Sequence, residues 1–194
     1  MTPIEIPGHA LVVLVGPAGS GKSTFAHRHF RPTEVVSSDR CRAMIADDES
    51  SLAVSGRAFA LFHEILRHRL ELGRLAVADS TAVSPRARAD LRALAGRCGA
   101  PVYVIAFDTP LEVCVMRDAG RDRRVGREVI ERQHQMMQEA LRAIPKEGYD
   151  GWWVLDEAAQ EEAAVEVVGR RPPEPNTEQI KLDYWREAWR GDRR

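Results

Sequence analysis

Five short apolar runs recur along the chain, each separated from the next by a stretch of helical periodicity. Residues 10–15 read ALVVLV without a polar break, the pattern of a parallel strand buried on both faces. Residues 33–38, 75–79, 102–107 and 152–155 repeat it more briefly. Strands alternating with helices predict an α/β fold, a doubly wound five-stranded parallel sheet built through right-handed crossovers.

The punctuation between the runs fits that scheme. Arg31-Pro32 ends the first helix, because the residue before proline is pushed out of the helical region. Ser55-Gly56 opens a longer helix that places Phe59, Phe62, Leu66 and Leu70 in the core, and Gly73 closes it. Ser84-Pro85 caps a helix with Leu91 and Leu94 inside and Arg86, Arg88, Arg92 and Arg97 mostly outside, as a solvated face. Thr109-Pro110 repeats that start for a helix carrying Leu111, Val113 and Cys114, which runs into an Arg cluster. Ile130, Met137 and Leu141 mark the buried side of the next helix, which stops at Pro145, and residues 157–168 predict an acidic, Ala-rich helix. Residues 170–175 read as a Pro-rich linker, so the expected units are a domain over 1–169 and an appendage over 170–194. Within the appendage, residues 177–190 predict a helix with Ile180, Tyr184 and Ala188 in line and Trp185 and Trp189 alongside. It would either dock back onto the body or bind a protein partner.

Composition narrows the classes. At 194 residues the chain suits one α/β domain with a short appendage. Its 28 basic and 29 acidic residues give a net charge of −1, so no general field attracts nucleic acid and any polyanion site is local. Cys41, Cys98 and Cys114 are odd in number and widely spaced, against both a disulfide framework and a zinc site. With no secretory start and no apolar stretch of about 18 residues, a soluble cytoplasmic protein without a membrane partner is expected.

The chemistry centres on Gly16-Pro17-Ala18-Gly19-Ser20-Gly21-Lys22-Ser23-Thr24, which fits the phosphate-binding loop G-x-x-x-x-G-K-[ST]. A Gly-rich turn lets backbone N–H groups approach a triphosphate closely, and the following helix presents its positive end. Lys22 would reach the outer phosphates of ATP or another nucleoside triphosphate, and the Ser23 hydroxyl would hold Mg²⁺. Asp39 follows the second strand, at the end of the sheet where such folds bind ligands; it is either functional or, with Ser38, the cap of the next helix. Asp79 ends the third strand, where P-loop proteins commonly place a Mg²⁺ ligand. Arg117, Arg121, Arg123, Arg124 and Arg127 form either a phosphate-binding lid or a solvated helix paired with Asp118, Asp122, Glu128 and Glu131. His63 and His68 lack partners at metal-ligand spacing.

These segments together resemble the kinase domain of the bacterial polynucleotide kinase-phosphatase family. The likeness rests on GSGKSTFA at 19–26, RPTEVVSSDRCR at 31–42, DDES and SGRAF within 47–59, VADST at 77–81, and the stretch from Cys114 through Arg117, Arg121 and Arg124 to His134. It implies an adenylate-kinase-like P-loop NTPase fold with an Arg-bearing lid, and transfer of a γ-phosphoryl group to 5'-hydroxyl ends of DNA or RNA in nucleic acid repair. By motif position it implies that Asp39 is the general base, that Arg42 holds the acceptor's neighbouring phosphate, and that Arg117 and Arg124 clamp the outer phosphates of the donor, with Arg121 a weaker contributor. Members carry metallophosphoesterase and ligase-like domains after the kinase, whereas here neither Gly-Asp-x-His nor K-x-D-G occurs, so a free-standing kinase is expected. Kinases of small hydroxylated metabolites or antibiotics, and nucleotide-dependent switches or adaptors, share parts of the pattern.

Overall fold

The computed structural model describes residues 3–121 and 124–171. The helix expected over 177–190, together with Asp122 and Arg123, lies outside the described residues. Five parallel strands, β2 (Leu11–Val15), β3 (Val35–Ser37), β4 (Ala76–Asp79), β5 (Val102–Phe107) and β6 (Gly151–Leu155), form a sheet of order β3-β4-β2-β5-β6. The expected class is therefore observed. Register sets Leu14 beside Asp79 and Ser37 beside the same residue, so the loops leaving β2, β3 and β4 open from one level of the sheet.

Alternation along β2 divides the core. Leu11, Val13 and Val15 face Phe62, Leu66, Leu91, Leu94 and Met137, from the helices α3 (Ser55–Glu71), α4 (Pro85–Arg97) and α6 (Arg127–Ala143). Val12 and Leu14 face Phe25 and Ala26 of α1 (Lys22–His29) on the other side. Helix α3 closes as the sequence predicts: Gly73 at φ 63 donates to the Leu70 carbonyl and Arg74 to that of Arg69, a Schellman stop.

Several expectations give way. Residues 157–168 are not one helix: α7 (Glu157–Glu162) stops after six residues, and β7 (Val165–Val168) pairs in parallel with β1 (Ile4–Pro7). Both are period-two stretches, IEIP and VEVV, whose one apolar face seats beside Phe25 and Phe30. Arg88 is not on a solvated face. It shares a helical face with Leu91 and Ala95, is 1% exposed, forks onto Glu147 at 2.6 and 2.8 Å, and donates to the Ala82 and Val83 carbonyls. Phe59 leaves the core, 38% exposed, because it lies one position off the Ala58, Phe62 and Leu66 stripe. The Arg cluster is not one helix either: α5 (Leu111–Ala119) ends before Arg121, and α6 begins at Arg127. Arg170 and Arg171 are anchored to the body, Arg170 on Glu34 at 3.0 Å and Arg171 on the Leu72 carbonyl at 2.9 Å.

Candidate phosphoryl-transfer site

The loop between β2 and α1 is built by backbone geometry that only glycine tolerates. Gly19 and Gly21 sit at φ 80 and 98; a Cβ on Gly19 would run into the Cys114 carbonyl, and one on Gly21 would meet Gln160 Oε1 at 2.5 Å. These close approaches hold the loop tightly against Cys114 and Gln160, and the left-handed glycines give the kind of turn that a phosphate cradle uses. Gly16 N–H donates to the Thr81 carbonyl at 3.0 Å, which ties the start of the loop to the end of β4.

Lys22 is 8% exposed and folds back over the loop, its Nζ donating to the Gly16 and Pro17 carbonyls at 2.9 and 2.7 Å and to Ser20 Oγ at 3.3 Å. Burial lowers its pKa to about 8, partly offset by the nearby Asp79 carboxylate. Ser23 Oγ donates to Asp79 Oδ2 at 2.8 Å, and burial raises the Asp79 pKa. Among the described residues no group of three or more His, Cys, Asp or Glu side chains could hold a metal by itself. A hydroxyl beside one buried carboxylate nonetheless suits Mg²⁺, which keeps most of its waters and takes few protein ligands beside substrate phosphates.

Two contacts to this loop cross long stretches of sequence, and a third braces one of them. Thr109 does not cap α5; its hydroxyl donates to the Ser20 carbonyl at 2.9 Å and accepts from Gln160 Nε2 at 3.0 Å. Gln133 Oε1, from α6, accepts the Ala18 N–H at 2.8 Å. Sequence reading missed Thr109, Gln133 and Gln160 as site residues because no local motif marks them.

Across the crevice, the cap of α2 (Ser38–Ala46) is Ser37, whose hydroxyl accepts from Arg40 N–H at 3.3 Å. Neither Ser38 nor Asp39 caps the helix, which leaves Asp39 in its first turn. Asp39 accepts from Arg42, and its charge is felt at both Lys22 and Asp79. Arg42 is 9% exposed, its Nε buried without a hydrogen-bond partner, and its guanidinium lies 5.9 Å from the centroid of the Phe59 ring.

Gly19, Gly21, Thr24, Arg117, Arg121 and Gln160 line a cleft of about 340 Å³ on the α7 side of the loop. Arg117 is held at Glu157 by a 2.7 Å bond. Arg121 is exposed beside the cleft, and Arg124 is exposed in the segment leading to α6. Of the acids expected to neutralise the cluster, Glu131 pairs with Arg127, which also bonds Glu112, whereas buried Asp118 instead accepts from the Val125 and Gly126 N–H groups. His68 lies between Glu64 and Glu71, and His63 packs on Phe59 and Phe62.

No helix among the described residues is long and apolar enough to cross a membrane. No curated protein matches the sequence. Among solved structures, a chain of the Pnkp1/Rnl/Hen1 RNA repair complex is similar at 25% identity with a TM-score of 0.61, over 73% of this chain and 47% of that one. The chain thus spans about half the length of that relative. The Mycobacterium tuberculosis APS kinase CysC, solved with AMPPNP and APS, matches at 19% identity and TM-score 0.51, over 80% of this chain and 93% of that one. The AvrRxo1-ORF1:-ORF2 complex with ATP matches at 16% identity and TM-score 0.57, over 78% and 55%. The last two likenesses concern the fold alone. A family profile described as an AAA domain matches residues 11–144, which include the loop, the crevice acids and the whole Arg segment. The chain therefore belongs to that AAA-domain family, on a P-loop kinase-like fold.

Proposed function

We propose that the protein is an ATP- and Mg²⁺-dependent polynucleotide 5'-hydroxyl kinase. The observation that carries this reading is the Asp39–Arg42 pair at the carboxyl end of the sheet: a carboxylate across the crevice from the P-loop, coupled to a buried guanidinium with an unused donor. A nucleotide switch needs neither. An acceptor carrying both a hydroxyl and a neighbouring phosphate uses both, and the similarity to an RNA repair chain supports a nucleic acid end as that acceptor.

On this reading each site residue takes a role. The loop N–H groups from Gly19 to Thr24 and Lys22 hold the donor phosphates, joined by the Ala18 N–H once it exchanges Gln133 for a phosphate oxygen, and Gly16 sets the loop's entry. Ser23 and Asp79 would hold Mg²⁺, which supplies charge neutralisation on the phosphate oxygens. Asp39 takes the proton from the 5'-hydroxyl as its oxygen forms a bond to the γ-phosphorus and the bond to the β-phosphate oxygen breaks, giving a 5'-phosphate and a nucleoside diphosphate. Arg42 holds the phosphate 3' to that nucleotide. Arg117, Arg124 and the weaker Arg121 spread positive charge over the migrating phosphoryl, and Arg117 exchanges Glu157 for phosphate oxygens as it does so.

The test is incubation with γ-labelled ATP, Mg²⁺ and 5'-hydroxyl oligonucleotides of DNA and RNA. Label on the 5' end is expected, and Arg42→Ala should damage it for acceptors bearing the 3'-phosphate far more than for a bare nucleoside. Unlabelled ends of both kinds, with efficient phosphorylation of a neutral sugar or antibiotic, would overturn the polynucleotide acceptor.

A further inference from the structure

A second cleft, of about 360 Å³, opens between α3 and the first turns of α4, outside the P-loop machinery. Its volume lies in the range of small-molecule sites. Phe59 and His63 form one wall, with ring centroids 6.3 Å apart and planes 36° from parallel, and Phe62 packs against His63 at 5.4 Å. Ser80, Ser84 and Asp90 supply the polar edge. Arg86 also borders the opening, 93% exposed and leaning on Asp90 at 3.9 Å.

The cleft and the Asp39–Arg42 pair share a wall. Phe59 lines the cleft and also lies under the Arg42 guanidinium at 5.9 Å. Ser80 directly follows Asp79, so the cleft begins at the carboxyl end of β4, next to the strand that leads into Asp39. Charge divides the two compartments. Buried Arg42 suits an anion, whereas the second cleft holds a carboxylate at its edge and a histidine whose pKa burial lowers. An uncharged ring with hydrogen-bonding edges fits there, and a phosphate does not.

We infer that this cleft is the binding site for the terminal nucleobase of the acceptor, stacked against Phe59 and His63 with its edge towards Ser80, Ser84 and Asp90. The inference rests on the kinase reading above and deepens it: Arg42 takes the phosphate, the α3–α4 cleft takes the base, and the sugar hydroxyl between them is presented to Asp39. Stacking supplies binding that is tolerant of base identity, because every base has an aromatic face. Binding energy made away from the reacting atoms then positions the hydroxyl.

Phosphorylation rates on two 5'-hydroxyl oligonucleotides test this, one with a normal terminal nucleotide and one abasic at that position, both with the 3'-phosphate intact. The protein should favour the base-bearing end in kcat/KM by about tenfold or more, the scale of stacking on one aromatic platform. Phe59→Leu and His63→Leu, at partly exposed positions that leave the fold standing, should each shrink that ratio mainly by slowing the base-bearing end. Equal rates on both ends, or a ratio unchanged in both variants, would overturn the site while leaving the kinase reading intact. Labelling of neither end would overturn the kinase reading and this inference with it.

Discussion

Lys22 shows how the fold sets the state of a single group. An ammonium that ordinarily titrates at 10.5 is brought to about 8 by burial, so above pH 8 the free protein increasingly holds it neutral. A bound triphosphate favours the charged form, and binding must then take up a proton. ATP affinity should therefore fall as pH rises above about 8, by up to tenfold per unit, with calorimetry in buffers of different ionisation heat reporting the proton uptake. The sign for stability is opposite: the cost of the buried charge is fully present below pH 8 and is relieved towards pH 10.5, and Lys22→Met should flatten both profiles. Asp39→Asn keeps size but cannot take a proton, so turnover should drop roughly 10²- to 10⁴-fold with ATP affinity little changed. Gln133 offers a finer discrimination. Gln133→Glu keeps an oxygen for the Ala18 N–H but adds a negative charge at the loop mouth, so it should weaken ATP binding more than Gln133→Ala does; the reverse order would mean that the contact only braces the loop.

At the scale of elements, the site is a loop held from behind. Gln160 of α7 and Thr109 after β5 form a chain of hydrogen bonds onto Ser20, while Arg88 pins the Ala82 and Val83 carbonyls one step from the Thr81 carbonyl that receives Gly16. Arg88→Leu would leave Glu147 half-buried beside Tyr149 without its counter-ion, and a loss of about 3–5 kcal/mol in denaturant unfolding is expected. The P-loop, Asp79 and the main strands were legible because each is a contiguous pattern with its own local physics. Thr109, Gln133 and Gln160 were not, since Thr109 and Gln133 meet loop residues 89 and 115 positions away, Gln160 braces Thr109 from 51 positions away, and none carries a motif. Arg88 was misread for a related reason: its helical phase matches Leu91, but its charge argued for solvent until Glu147 was in place. The strands β1 and β7 alternate apolar with acidic residues over only four positions instead of forming an unbroken apolar run, and the Ala-rich residues just before β7 favour helix.

For the whole molecule, a net charge of −1 means that a polynucleotide acceptor, as proposed, would be held by a few local phosphate contacts. Its affinity for single strands should weaken with salt only as one to three contacts would, at a slope of about −0.7 per phosphate. Removing residues 172–194 should leave transfer largely intact, because every group assigned to the site precedes residue 161, and aggregation of the shortened protein would show instead that the aromatic tail completes the core.

The pairing of β1 with β7 fixes where the described chain leaves this body. It sets Gly8 against Arg170, while Arg170 and Arg171 reach Glu34 and Leu72, residues that lead into the amino ends of β3 and β4. Because the two strands run parallel, the chain leaves β7 at that pole, with the crevice opening at the other, whereas it enters β1 from the opposite end of the pair, where Ile4 lies beside Val165. A reporter, a surface tether or a neighbouring protein module attached directly after Arg171 would face away from the crevice, so the protein can be anchored there without covering it.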